Sequence, residues 1–301
     1  MIKRNLFAVL GMLISIWGCS FSAGTVTTPT PTAMDEVGTV VAATLQAFTA
    51  TPPESVSTQA GTEAVPQEGG TPVSFEGVSF LVPAGMATGA NAEKMTAVES
   101  NSGAPWEIAP THARFTLTDY ALQSKFHEPR IFVYPVAEYI ALNPNAAEQI
   151  DRLRKILTGA ALLEETLPSI PFFNATPLMA AQIKILPFQN GGGGVRALTQ
   201  YAQYAAPINN HELFYQFQGL SSDGNYYIVA ILPITAPLLA EDEKPDASVP
   251  EGGVAIPAGI GPNEVYYFSV VEKLNSLAPD SYTPSLSTLD TLIQSMTVTT
   301  P

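Results

Sequence analysis

Basic residues are scarce in this chain of 301 residues: 13 Lys and Arg stand against 27 Asp and Glu, a formal net charge of −14. Nucleic-acid binding rests on Lys and Arg at phosphates, so this balance argues against a nucleic-acid partner. It also argues against broad electrostatic attachment to anionic lipid. Charge of either sign is sparse, at 13% of residues, about half the usual globular share. A single cysteine, Cys19, excludes an intrachain disulfide. The three histidines, His112, His127 and His211, have no second ligand at metal spacing such as HxxxH or HExxH. They read as surface or capping residues, and no metal is expected. What the chain does have is apolar material, 46% of residues. That is enough for a core, in one large or two small domains.

The N-terminus reads "MIKRNLFAVLGMLISIWGCSFSAG". Lys3 and Arg4 form a basic start. Residues 6–17 are an apolar run of about a dozen, the length of a signal h-region and too short to span a bilayer. The run ends in Ile16-Trp17-Gly18-Cys19. This order resembles a bacterial lipobox: an aliphatic residue, a small residue just before the cut, then the obligatory cysteine. The resemblance implies a lipoprotein signal peptide over 1–18, thioether diacylglycerol on Cys19, cleavage before it, and N-acylation, commonly with palmitate. Two or three acyl chains give lasting attachment where one is marginal. The implied place is the extracytoplasmic face of a cell membrane, with the bilayer as partner through acylated Cys19. Loss of Lys3 and Arg4 takes the formal charge from −14 to −16. The plainer reading is an ordinary signal peptide or a short anchor helix, with Cys19 incidental.

Residues 19–71 read as a Thr/Pro-rich tether. Between 20 and 71 there is no Lys or Arg, and "TVTTPTPT" and "TATPPESVSTQAGTEAVPQEGGTP" set the tone. Such composition buries too little apolar surface to offset chain entropy. A coil of about 50 residues reaches roughly 40 Å, enough to lift a domain off a membrane. The composition also permits O-glycosylation. One piece differs: "MDEVGTVVAATLQAF" places Val37, Val40, Val41, Leu45 and Phe48 on a helical stripe. A helix near 35–48 would pair with its own copy, dock on the domain, or stand as a marginal helix alone.

From 72 to 301 the pattern predicts one α+β domain: an antiparallel sheet, with a four-strand meander and an N-terminal hairpin, and helices packed on it. "TPVSFEGVSFLVP" is the hairpin, turning at Glu76-Gly77. "HARFTLTDY" and "PRIFVYPV" read as strands. Asn143-Pro144 caps a helix that buries Ile150, Leu153 and Leu157. Strands at 181–189, 195–204, 211–220 and 225–234 are joined by short links, so they form a meander. A Pro/Gly-rich acidic loop over 235–262 follows. Then comes a helix in "NEVYYFSVVEKLNSL", and another with Leu286, Leu289, Ile293 and Met296 that runs into a last strand.

The opening "FEGVSFLVP" and the closing "LDTLIQSMTV" look like the ends of PsbP/Mog1-like α/β/α sandwiches. That resemblance implies a non-catalytic assembly or binding module. The long connections at 83–112 and 235–262 depart from the family's compact pattern.

Catalytic templates fit poorly. There is no GxSxG elbow. "GLSSDG" sets Ser221 near Asp223, but at an expected hairpin turn. Glu241-Asp242-Glu243 with Asp246 lacks the glycine and closing glutamate of an EF-hand, and reads as a solvated loop. The run Gly191 to Gly194 is followed by Val195-Arg196, which suits neither a Walker loop nor a dinucleotide fingerprint. "VRALTQYAQYAA" can be written as a helix, yet Val, Thr and two Tyr favour a strand. The glycines then mark a hairpin tip. In that reading Arg196, Gln200, Tyr204, Gln216 and Gln218 share one side of the sheet, as a polar ligand groove or a plain solvated face.

The expectation is a tethered extracytoplasmic lipoprotein whose non-catalytic domain needs no cofactor and meets an envelope protein or polymer. The alternatives are a secreted hydrolase or transferase using Ser221, Asp223 or His211, and a structural protein that oligomerises through 35–48.

Overall fold

The structure, a computed structural model, describes residues 69–99, 103–244, 246–257, 259 and 265–299. Cys19, the signal peptide and the helix expected near 35–48 lie outside the described residues.

Strands β1 (Gly70–Phe75) and β2 (Val78–Pro83) form the expected hairpin. Its turn residues Glu76 and Gly77 have φ of 44° and 78°, the signs of a primed turn that matches strand twist. Next come β3 (Gly89–Met95), β4 (His112–Thr118), β5 (Arg130–Pro135) and the short helix α1 (Val136–Leu142). Helix α2 (Pro144–Leu157) starts where Asn143 Oδ1 accepts from the Ala146 N–H at 3.1 Å. It buries Ala146, Ile150, Leu153 and Ile156. Ile156 takes the place expected of Leu157, which packs only partly.

A short pair, β6 (Thr176–Pro177) and β9 (Tyr201–Ala202), flanks the meander. The meander is β7 (Ala181–Pro187), β8 (Gly192–Thr199), β10 (Phe214–Ser221) and β11 (Tyr226–Pro233). Segment 195–204 is therefore strand rather than helix over most of its length. Helices α3 (Val265–Ser276) and α4 (Leu286–Gln294) and strand β12 (Thr297–Val298) close the chain. Ser285 caps α4 by accepting from the Thr288 N–H at 3.1 Å.

The main sheet has seven strands in the order β3-β4-β5-β11-β10-β8-β7, every neighbouring pair antiparallel. A second sheet, β1-β2-β12, adds the last strand to the first hairpin. This is an α+β fold. One face of the main sheet, with Phe132, Tyr134, Phe214, Val229 and Ile231, packs on α1 and α2. The other, with Ile131, Val133, Tyr215, Phe217, Ala230 and Leu232, packs on α3, α4 and the hairpin. Strand β3 was not expected from the sequence: "GANAEKM" is polar, and it sits at the edge, where few side chains need burial.

The glycines do not all lie at the tip. The turn between β7 and β8 closes through the Gly191 N–H on Phe188 O at 3.3 Å. Gly192 to Gly194 are already paired strand residues, opposite Ser221, Leu220 and Gly219. A Cβ on Gly194 would stand 2.0 Å from Gln218 O. Gly192 has φ +80°, and its Cβ would meet Leu220 O at 2.5 Å. Glycine is needed there so that two backbones can approach, which is a packing role.

Candidate functional site

The five residues expected on one polar side fall in three places. The register decides this. Arg196 stands opposite Phe217, whereas Gln216 and Gln218 stand opposite Ala197 and Val195. Facing residues share a side of the sheet, so Arg196 and the two glutamines point in opposite directions. The expected shared groove is corrected accordingly.

Arg196 lies on the α4 side and is 4% exposed. Its Nε is 3.1 Å from Asp290 Oδ1 of α4. The alignment is too poor for a hydrogen bond at Nε, so the pair is chiefly Coulombic. Its Nη1 donates to Gln182 O. Asp290 also accepts from Tyr215 Oη at 3.0 Å and pairs with Lys184 Nζ at 3.3 Å. Burial, then the Asp290 carboxylate, push the Tyr215 hydroxyl well above the usual phenol range. Gln182, at a bulge with φ 53°, donates to the Leu274 and Leu277 carbonyls. Arg196 thus bolts β7, β8 and α4 together.

Gln216 and Gln218 lie on the α2 side, and the chain itself occupies the ground above them. Both side-chain amides donate to Pro168 O, at 3.2 and 2.6 Å. Tyr201 Oη donates to Gln216 Oε1 at 2.9 Å and accepts from the Ile170 N–H at 3.0 Å. Tyr227 Oη donates to Gln218 Oε1. The Pro-punctuated connection 167–177 is therefore pinned by the polar side chains that suggested a ligand groove. A cavity of about 40 Å³ remains beside it, lined in part by Glu164, Thr199, Tyr201 and Gln216. It has room for water and none for an organic ligand. A wider surface groove of about 310 Å³ borders Arg152, Lys155 and Ile156. Its two cations pair with Glu148 and Asp151 one turn back on α2, at 2.8 and 2.7 Å.

Gln200 and Tyr204 come together with two acids. The buried Gln200 amide is oriented by the Asn209 N–H, which donates to its Oε1 at 3.0 Å. Its Nε2 then donates to Glu212 Oε2 at 2.7 Å. Tyr204, 57% exposed, donates through Oη to Glu243 Oε2 at 3.0 Å. Burial first, and the Glu243 carboxylate second, push the Glu212 carboxyl up to about 7. A carboxyl raised in this way by burial and a charged neighbour is a candidate site residue. Sequence reasoning missed this pair. Glu243 carries the signature of a solvated loop, and only the tertiary fold returns it to Glu212.

The histidines are less exposed than expected. His112 stacks on Tyr134 with centroids 4.3 Å apart, and its Nδ1 is 2.8 Å from Pro110 O. His127 is half-buried by surface area, but Phe126, Phe173 and Phe214 enclose its ring at 4.5–5.3 Å. Enclosure governs the proton, and burial lowers the two rings to about 4 and about 3. His211, beside Phe126, stands before β10, and Ser221 ends it. The strand between them spans about 25 Å. Ser221 Oγ donates to Asp223 Oδ1 at 2.6 Å and accepts from the Tyr226 N–H at 2.9 Å, which fixes the hairpin turn. Ser221 and Asp223 are thus brought together, and His211 stands apart from them at the other end of the strand. No cluster of three His, Cys, Asp or Glu able to hold a metal is found among the described residues. No helix among them is long and apolar enough to cross a membrane.

Comparison of the chain with protein-family models, with curated proteins and with solved structures finds no match.

Proposed function

We propose that this chain is an extracytoplasmic lipoprotein, held at a cell membrane by acylated Cys19, whose α+β domain is a non-catalytic module for an envelope protein or polymer. The observation that carries the reading is the order of parts at the N-terminus: Lys3-Arg4, an apolar run, then Ile16-Trp17-Gly18-Cys19. The first strand begins at Gly70. About 50 residues then separate the anchor from the domain, a reach of roughly 40 Å as coil. Arg196, Gln216 and Gln218 all have partners within the fold, so in this reading the module meets its partner elsewhere than at the sheet's polar side chains. The test is fractionation of bacterial cells expressing the full chain with labelled palmitate. Wild type is expected in the membrane fraction and labelled, and Cys19→Ser unlabelled and displaced from it. Equal labelling of both would remove the reading.

A further inference from the structure

The acidic loop after β11 is held in two different ways. Its first part is fixed by neutral groups. Asn210 Nδ2 donates to Ala236 O and Leu239 O, each at 3.1 Å, its Oδ1 accepts from the Ala236 N–H at 2.8 Å, and its own N–H donates to Ala240 O at 2.8 Å. From residue 241 onward the ties are charged. Lys125 Nζ meets Glu241 Oε1 at 2.7 Å, Lys244 pairs with Asp242, and Tyr204 Oη donates to Glu243. Further along, Val254 and Ile256 rest partly buried on the core.

We propose that Glu212 and Glu243 form a proton-operated latch on this loop, closed when Glu212 carries its proton and released when it does not. Glu212 is anchored in place by Gln200 and cannot swing away without breaking that bond. The groups around it are Glu243 from the loop, Tyr204 and His211 from the segment before β10, and, one step out, Asp242 with Lys244, and Lys125 with Glu241. The cations are engaged with other carboxylates, so an ionised Glu212 meets Glu243 with no intervening positive partner. The repulsion acts on the tie between Tyr204 and Glu243 and on nothing in the sheet, while the Lys125–Glu241 pair holds. Release frees residues 246–257 and uncovers Val254 and Ile256.

Hydrogen exchange on the full chain tests this, with rates corrected for intrinsic chemistry at pH 6 and pH 8.5. In wild type, protection of the amides in 246–257 is expected to fall several-fold, up to tenfold per pH unit above the midpoint for one linked proton. Amides of β10 should keep their protection. Glu212→Gln should stay protected at both pH values. Glu243→Gln, a change at an exposed side chain, should do the same and covers the case in which the first variant misfolds. A flat profile in wild type, or an equal fall in either variant, would overturn the proposal.

Discussion

Arg196 shows how a single residue can be read correctly by type and misplaced by side. Its neighbours in sequence identify it as the one cation in an apolar strand. Which face it takes depends on the register between β8 and β10, and a shift of one residue exchanges the faces. The fold sets it against Phe217 and supplies Asp290 from α4. Removing Asp290 leaves the buried Arg196 without a carboxylate, whereas removing Arg196 leaves Asp290 with Lys184 and Tyr215. Asp290→Met should therefore cost about 3–5 kcal/mol in urea unfolding, Arg196→Met less, and the two together markedly less than the sum of the single changes. Additive losses would show that the pair is not coupled. Gln216 and Gln218 teach the complementary lesson. Their polarity was legible, but nothing in their local sequence says that Pro168 returns to cover them.

At the scale of elements, most of the architecture could be read from the chain. Alternation with short links carries the meander, Asp223-Gly224 its last turn, Asn143-Pro144 the start of α2, and the stripe of Leu286, Leu289 and Ile293 the helix α4. Strand β3 could not be read, because an edge strand of polar residues has no alternation to display. The glycine run was half legible: a turn was due there, but the entry of three glycines into β8 follows from the close approach of β10. Gly194→Ala should destabilise by about 3 kcal/mol, the upper end of the cost of forcing atoms into occupied space. A loss under 1 kcal/mol would mean that the strands move apart easily. Asn143→Ala should cost about 1–2 kcal/mol for the cap alone. The side chain also donates to Pro105 O and Ile108 O, at 3.2 and 3.0 Å, so the loss should fall at the upper end. Thermal unfolding of the two variants checks both values.

For the whole molecule, protons link the parts. His112 and His127 have folded values of about 4 and about 3, below their ordinary 6.5. The unfolded chain therefore binds more protons there, and the stability they support is present above 6.5 and lost as the pH falls towards 3. Glu212 runs the other way: its folded value of about 7 exceeds the ordinary 4.5, so its contribution is full below 4.5 and lost as the pH rises through 7. Between 4.5 and 6.5 the two histidines outweigh Glu212, and Glu164, also raised by burial, trims the slope. Stability should rise with pH by at most about 1.4 kcal/mol per unit, the value for one net proton, and peak near 6.5. Urea midpoints from pH 4.5 to 8 give the curve. A midpoint that is level from 4.5 to 6.5 would mean that the rings take up protons without unfolding.

The reach of the sequence also divides at this scale. The fold class could be read because it rests on periodicity. The corner of Glu212 and Glu243 could not, since Gln200, Tyr204 and Glu212 are joined to Glu243 only by the fold, from either side of β10 and β11 in the chain. The proposed membrane attachment rests on the N-terminal motif alone, so the chain's own chemistry there decides the account. The most direct measurement is the mass of the N-terminal peptide of the full chain purified from bacterial membranes. The account predicts a chain that starts at Cys19 and carries a diacylglyceryl thioether. A chain that keeps residues 1–18, or one cleaved elsewhere with Cys19 as a free thiol, would contradict it.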